Sequence, residues 1–239
     1  GRDAEEMMTA CQEKGTFVME AFMYRHAPRT QVFLERVHDG TMGQVRSANA
    51  SFSNLFYNPE GQNWRNRLET GGGIVYDFTC YSVNMLRAVF GRPPKRVSAV
   101  GETCPVQNVI VTLHGLFDYG DGVAARIESS QKSTFRMDCE VVLEHGVLTL
   151  PQYLMNRARE NGPLPWRETT GTWVESQETV EVPTQFENPY GLQMMNLARQ
   201  LREGTSPGVP IEETLDNLYT IDALVHAYEE NCWVGVEHK

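Results

Sequence analysis

Several features that define particular classes of protein are missing from this sequence. No apolar run approaches the ~18–20 residues of a membrane-spanning helix, so we expect no membrane partner. The five cysteines are scattered, odd in number and free of any Cys-x-x-Cys pair, which argues against disulfides and a structural zinc site. Acidic residues, Asp3, Glu5 and Glu6, stand where a signal peptide carries basic ones. These absences predict a reduced, cytoplasmic protein with no metal site.

Positive charge is also scarce, because 21 Lys and Arg face 31 Asp and Glu, giving a formal net charge of −10. Nonspecific binding to nucleic acid needs a basic face, so we expect no nucleic-acid partner. What the sequence does have is an ordinary globular composition, with 41% apolar and 22% charged residues over 239 positions. A chain of this length can build a core without disulfides. A small neutral or polar molecule is therefore the expected substrate.

Helical and strand periodicities follow one another in an order that predicts an α+β fold. The predicted helices are residues 3–14, Pro28 to Asp39-Gly40, Gly71-Gly72-Gly73 to Phe90-Gly91, Tyr190–Arg202 (apolar face Met194, Leu197, Ala198, Leu201) and Pro210–Asn231. The predicted strands are Thr16–Met19, Gln44–Phe56, Val97–Val100, Val109–Tyr119, Val123–Ser129, Phe135–Leu143, Val147–Leu150 and Trp173–Val182. Tight turns between consecutive strands, as at Tyr119-Gly120-Asp121-Gly122, indicate antiparallel pairing. We expect one open antiparallel sheet with helices on one face.

The stretch with the most chemical content begins at the triple glycine Gly71-Gly72-Gly73. Glycines at a helix start leave backbone N–H groups near a cleft, and Asp77 and Tyr81, four residues apart, share a helical face. A phenol beside a carboxylate can exchange a proton with a hydroxyl or carbonyl group. The alternative is a tyrosine capped by a hydrogen bond to the residue four positions before it, at a domain surface.

Two further stretches carry candidate ligand contacts. Tyr24, Arg25 and His26 lie at a strand-to-helix junction, where α/β chains place ligand-binding groups, although an arginine there can also serve only to satisfy carbonyls. Trp64 and Arg65 lie in the polar loop before the glycines and could hold a polar ligand or form a solvated face.

Together these motifs resemble the Gfo/Idh/MocA oxidoreductase family over nearly the whole chain. The motifs that carry the resemblance are Glu20-Ala-Phe-Met-Tyr-Arg-His-Ala-Pro28, Gly40-Thr-Met-Gly-Gln-Val45, Trp64-Arg65, Gly71-Gly-Gly-x-x-x-Asp77-x-x-x-Tyr81, Asn188-Pro-Tyr and Pro210-x-x-x-x-Leu215. The resemblance implies an N-terminal Rossmann domain that binds NAD(P) and a C-terminal domain with an open antiparallel sheet. That sheet face commonly forms the oligomer interface, so it also implies a homodimer or homotetramer.

The resemblance assigns roles residue by residue. Tyr81 and Asp77 match the catalytic positions, and the tyrosine resembles the dihydrodiol, xylose and glucose-fructose branch rather than the inositol dehydrogenases, which have histidine there. The expected substrate-binding residues are Arg25, Tyr24, His26, Trp64 and Arg65. Gly72 and Gly73 are expected to contact the cofactor only in an intact parent protein.

The sequence departs from the family pattern because it contains neither the Gly-x-Gly-x-x-Gly turn nor the Glu-Lys-Pro motif. We therefore divide it into a helix-strand remnant of the dinucleotide-binding domain, residues 1–19, and a substrate-binding and oligomerisation domain, residues 20–239. We expect NAD or NADP in the intact parent and no cofactor on the chain as given, because the cofactor supplies hydride chemistry.

Three functions fit these observations. The first is the catalytic-tyrosine part of an NAD(P)-dependent oxidoreductase acting on a sugar, polyol or cyclic diol. The second is a naturally truncated, cofactor-independent lyase, isomerase or cyclase that reuses the cleft, with Tyr81, Asp77, Arg25 and His26 transferring protons or orienting the substrate. The third is a non-catalytic partner that dimerises through the sheet.

Overall fold

The fold was analysed on a computed structural model of the 239-residue chain. It describes residues 1–61, 63–154, 188–205 and 208–236 in full, and the backbone of 166–170 and 176–180. The predicted strand Trp173–Val182 lies partly outside the described residues, and 176–180 of it is a strand.

Helices and strands alternate much as the periodicities predict. The helices are α1 (Arg2–Glu13), α2 (Pro28–His38), α3 (Cys80–Phe90), α4 (Pro189–Glu203) and α5 (Ile211–Glu230). The strands are β1 (Val45–Ser53), β2 (Arg96–Thr103), β3 (Ile110–Gly120), β4 (Val123–Ser130), β5 (Asp138–Leu143), β6 (Gly146–Pro151), β7 (Trp166–Thr170), β8 (Ser176–Val180) and β9 (Val234–Gly235).

Local chemistry sets several helix ends. Pro28 occupies the first turn of α2, where its missing N–H costs no hydrogen bond. The side chain of Asn188 caps α4 by accepting a hydrogen bond from the Tyr190 amide, at 3.0 Å. Gly91 ends α3 in the left-handed conformation with φ 66°, which confirms its predicted role as the terminator.

The strands of the described chain form one sheet in the order β8-β7-β6-β5-β1-β4-β3-β2-β9. All neighbours pair antiparallel except β1 and β4, which run parallel from Ser47 opposite Ala124 to Ser53 opposite Ser130. The α+β fold class is confirmed, and the sheet is mixed rather than purely antiparallel. In the sheet, β1 lies between β5 and β4. The chain between β1 and β4 contains α3, β2 and β3, and a long connection of this kind allows two strands to run parallel.

The two faces of the sheet differ in composition. On β3, Leu113 and Phe117 are fully buried under the helices, whereas His114 and Leu116 point to the opposite, exposed face. Contacts from α3 reach β1 and β4, and α5 covers β2. Alternation along β3 therefore separates a helix-covered core from an open face.

Two further sequence-based expectations differ from the structure. Residues Thr16–Met19 form no strand, because no neighbouring strand in the described chain offers them backbone partners, and residues 1–19 consist of α1 and a connecting segment. On α4, Met194 and Leu201 of the predicted apolar face are both exposed in the part of the chain that the structure describes. No helix among the described residues is long and apolar enough to cross a membrane.

Candidate active site

The candidate site begins where a π turn, Val75–Thr79, leads into α3. Single π turns inside helices recur at functional sites, because the extra residue changes the direction of the side chains around it. Here the turn lies between the glycines and Tyr81, and Asp77 belongs to it. The prediction that Asp77 and Tyr81 share one regular α-helical face is therefore wrong in its geometry.

The carboxylate of Asp77 is bound by Arg65, whose Nε donates to Oδ2 at 2.6 Å. The Asp77 side chain is 13% exposed and that of Arg65 is 34% exposed, so the pair lies at the edge of the protein interior. Above it, the Arg65 guanidinium lies 4.4 Å from the centre of the Trp64 ring, which is 43% exposed. The structure thus brings three predicted site residues, Trp64, Arg65 and Asp77, into contact.

The loop that contains Trp64 and Arg65 is stabilised by hydrogen bonds between its own backbone groups. The amide of Gly73 donates to the Arg65 carbonyl at 2.7 Å, and the amide of Gly72 donates to the Arg67 carbonyl at 2.9 Å. A Cβ on Gly72 would lie 2.6 Å from the Arg67 carbonyl oxygen, and one on Gly73 would lie 2.7 Å from the carbonyl oxygen of Ile110. Glycine is needed here for close approach of backbones.

These hydrogen bonds bear on the predicted role of Gly72 and Gly73 in cofactor binding. Phosphate binding by a glycine-rich turn requires free amide N–H groups. Both amides are already used within the loop, so the expectation of free N–H groups at these glycines is wrong. The described residues therefore offer no dinucleotide cradle at this turn.

Tyr81 lies in an aromatic pocket at the start of α3. Its ring centre is 5.5 Å from that of Phe22, 5.9 Å from Phe52 and 6.4 Å from Tyr24. Burial raises the pKa of Tyr81 to about 12, and the nearby Cys80, Tyr190, Asp77 and Glu20 add to the effect. The phenol is therefore protonated at neutral pH and can donate a hydrogen bond or a proton.

Tyr24 and Arg25 lie behind Tyr81 in a buried polar network. The Tyr24 hydroxyl donates to Oδ1 of Asn84 at 2.5 Å, and Arg25 pairs with Glu213, their side chains being 13% and 9% exposed. Nδ2 of Asn84 also donates to Oε1 of Glu213 at 3.0 Å. These groups join the turn, α3 and α5, and the role of Tyr24 and Arg25 in substrate binding stays a prediction.

The sequence motifs did not identify Asn84 and Glu213, the two residues that bind Tyr24 and Arg25 in this buried network. Asn84 stands in α3 between the buried residues Val83, Met85 and Leu86. A fully buried amide in an apolar helix needs hydrogen-bond partners, and that is the signal that could have found it. Its partner Glu213 is 129 residues away, so no local pattern links the two.

His26 lies apart from the other predicted residues. It is buried against α4, where Nδ1 lies 3.2 Å from Nδ2 of Asn196. Burial, followed by the nearby charge of Arg25, lowers the pKa of His26, which keeps the imidazole neutral. Within the part of the chain that the structure describes, no cluster of three or more His, Cys, Asp or Glu could hold a metal ion.

The architecture and this site define a class of protein. Residues 30–149 match the family model of the GFO/IDH/MocA C-terminal domain, and the chain belongs to that family. It is 29% identical over 230 residues to D-xylose 1-dehydrogenase (NADP(+)) 2 of Haloferax volcanii, covering 95% of this chain and 67% of that protein. It is 32% identical over 123 residues to trans-1,2-dihydrobenzene-1,2-diol dehydrogenase of Mus musculus, covering 51% and 35% of the two chains.

Solved structures share the fold. The aldose-aldose oxidoreductase from Caulobacter crescentus, complexed with glycerol, superposes with a TM-score of 0.86 at 22% identity, over 98% of this chain and 68% of that one. Levoglucosan dehydrogenase in complex with NADH and levoglucosan superposes with a TM-score of 0.85 at 16% identity, over 99% and 70%.

Proposed function

We propose that this chain forms the substrate-binding and catalytic-tyrosine part of an NAD(P)-dependent oxidoreductase that acts on a hydroxyl-bearing carbon of a sugar, polyol or cyclic diol. The observation that carries the proposal is the position of Tyr81, a protonated phenol in an aromatic pocket beside the Arg65–Asp77 pair. Relatives named for xylose and dihydrodiol oxidation support the substrate class.

Each residue of the site has a task in this proposal. Tyr81 holds or transfers a proton at the substrate oxygen, the usual work of a positioned acid-base group. The bond to Asp77 uses Nε of Arg65, and the guanidinium has further donors for a substrate hydroxyl. The exposed ring of Trp64 offers a rigid apolar surface to the C–H face of a sugar or diol ring.

The hydride chemistry belongs to the nicotinamide cofactor. Because the amides of Gly72 and Gly73 are bonded within the loop, these two glycines offer no free N–H group to a cofactor phosphate. The work proposed for this chain is therefore proton transfer and substrate orientation.

The test is turnover by the protein that carries this chain, with NAD⁺ or NADP⁺ and a panel of aldoses, polyols and cyclic trans-diols. Tyr81→Phe is expected to lower kcat by roughly 10²–10⁴-fold, the range for losing a general acid-base group, with no change in melting temperature. Tyr228→Phe is the matched control, because that hydroxyl lies 2.9 Å from Oγ1 of Thr103, between α5 and β2. Full activity of Tyr81→Phe would remove Tyr81 from the mechanism, and turnover without nicotinamide would favour a lyase or isomerase.

We further propose that the open sheet face binds a second copy of the chain. Val100 and Leu116 are 62% and 44% exposed on neighbouring strands of that face, and the family resemblance supports this use of it. Sedimentation equilibrium is expected to show a dimer or tetramer that Leu116→Asp dissociates. Val106→Asp, at an equally exposed valine outside the sheet, should leave the assembly intact. A monomeric unsubstituted protein would refute the proposal.

A further inference from the structure

Two opposite charges at the centre of the open sheet face have no ion-pair partner in the described chain. Arg126 on β4 and Glu140 on β5 are both exposed, and each lies directly opposite Asn49 on β1, the strand between them. Both line one shallow cavity of about 330 Å³ together with Asn49 and Leu116. Neither side chain forms an ion pair or a hydrogen bond with a described residue.

Other charges on the same face are paired within the chain. Nη1 of Arg136 donates to Oε2 of Glu128 at 2.9 Å, and Nε of Arg96 donates to Oδ2 of Asp118 at 2.8 Å. An exposed ion is well solvated, so the lack of a partner by itself needs no explanation. The informative feature of the two unpaired charges is their placement, with opposite signs on either side of a single strand.

That strand is the middle of the sheet. β1 is the fifth of nine strands in the sheet order, and Asn49 is the fifth of its nine residues. At about 4.8 Å between strands and about 3.3 Å per residue, the face measures roughly 800 Å², the area that a standard interface buries on each partner. Because the overlap of two copies shrinks as a two-fold axis moves toward an edge, an axis at Asn49 gives the largest contact.

The charges decide the direction of such an axis. In a two-fold symmetric interface both copies use the same patch, so every contact between two different residues occurs twice. An axis along β1 places Arg126 of each copy over Glu140 of the other, whereas an axis across the strands places each charge over its own equivalent. Like charges held together at an interface are strongly unfavourable. The electrostatics therefore favour the axis along β1.

We propose that a second copy binds the open sheet face with the two-fold axis along β1 above Asn49, so that Arg126 of each copy pairs with Glu140 of the other. The inference rests on the sheet-face association proposed above and names the contacts that specify it. Facing sheets lie about 10 Å apart, a gap that an arginine and a glutamate side chain extended toward each other can bridge. Leu116, directly opposite Arg126 on β3, lies beside each pair and limits its contact with solvent.

The first test reverses one charge at a time and measures the dissociation constant of the dimer by sedimentation equilibrium, in the protein that carries this chain. Arg126→Glu and Glu140→Arg each make both pairs repulsive, so each is expected to raise Kd by at least roughly 10²-fold. The double variant Arg126→Glu/Glu140→Arg recreates both pairs and should restore most of the lost affinity. Glu229→Arg, the same charge change on the exposed side of α5, is the control and should leave Kd unchanged.

Mixing the two single variants separates pairs between copies from a pair within one chain. In a heterodimer of Arg126→Glu with Glu140→Arg, one pair joins the two introduced charges and the other joins the two native ones, so both are attractive. Native mass spectrometry is expected to show heterodimers at a concentration where each variant alone is monomeric. A pair within one chain would be repaired in the double variant but not by mixing, so an absence of heterodimers would overturn the proposal.

The outcomes also separate this inference from the proposals on which it rests. Far-ultraviolet circular dichroism should be unchanged in all these variants, because both side chains are exposed. If Leu116→Asp dissociates the assembly but both single reversals assemble like the unsubstituted protein, the charge pairing is refuted and the sheet-face association stands. If the unsubstituted protein is a monomer, both fail, and the oxidoreductase function is still decided separately by Tyr81→Phe.

Discussion

Two arginine-carboxylate pairs flank Tyr81, and they differ in what surrounds them. Arg25–Glu213 is almost fully enclosed and shares its groups with Asn84, whereas Arg65–Asp77 is partly open and carries the exposed Trp64 ring. Both arginines are motif residues with an expected role in substrate binding. Burial and the hydrogen bonds already made, rather than residue type, therefore distinguish the enclosed Arg25 from the partly open Arg65.

The pairs also differ in the part of the fold that they connect. Arg25 and Glu213 are 188 residues apart and tie the turn before α2 to α5, with Asn84 adding α3. Arg65 and Asp77 are 12 residues apart and close one loop on the helix that follows it. Breaking the first pair should therefore disturb the fold, and breaking the second should disturb the site.

The largest expected effect is on the buried pair. Glu213→Gln keeps the side-chain shape but leaves the Arg25 charge unpaired, so we expect a loss of about 3–5 kcal/mol in the free energy of unfolding. Urea denaturation followed by circular dichroism measures it. Glu212→Gln, at the exposed neighbouring position, is the matched control and should change stability little. If both variants unfold at the same urea concentration, the pair does not support the fold.

Much of this architecture could be predicted because it depends on local signals. The turn Gly120-Asp121-Gly122 has φ values of 86°, 56° and 77°, which these residue types tolerate, and it joins β3 to β4 as expected. The end of α3 at Gly91 follows from the same property. Such features depend on a few adjacent residues, so the sequence pattern contains them.

Other features depend on contacts between distant segments and could not be predicted in this way. β1 pairs with β4 although α3, β2 and β3 lie between them in the sequence, and a period-two pattern does not specify a strand's neighbour. The site shows the same limit. The four-residue spacing predicts that Asp77 and Tyr81 share one helical face, but Asp77 lies in the π turn before α3 and its carboxylate pairs with Arg65.

The smaller effect on stability, and the sharper test of the comparison, is at the open pair. Arg65→Gln should cost below about 1 kcal/mol of stability, because the pair is partly solvated. The uncompensated charge of Asp77 should then raise the pKa of Tyr81 further, since Asp77 already raises it. Losing a charged hydrogen bond to substrate, worth roughly 1.5–3 kcal/mol, predicts a roughly 10- to 100-fold fall in kcat/KM. Arg67→Gln, exposed in the same loop and bonded through its backbone, should retain activity. Equal kinetics for the two variants, or a large stability loss in Arg65→Gln, would mean that Arg65, like Arg25, belongs to the scaffold.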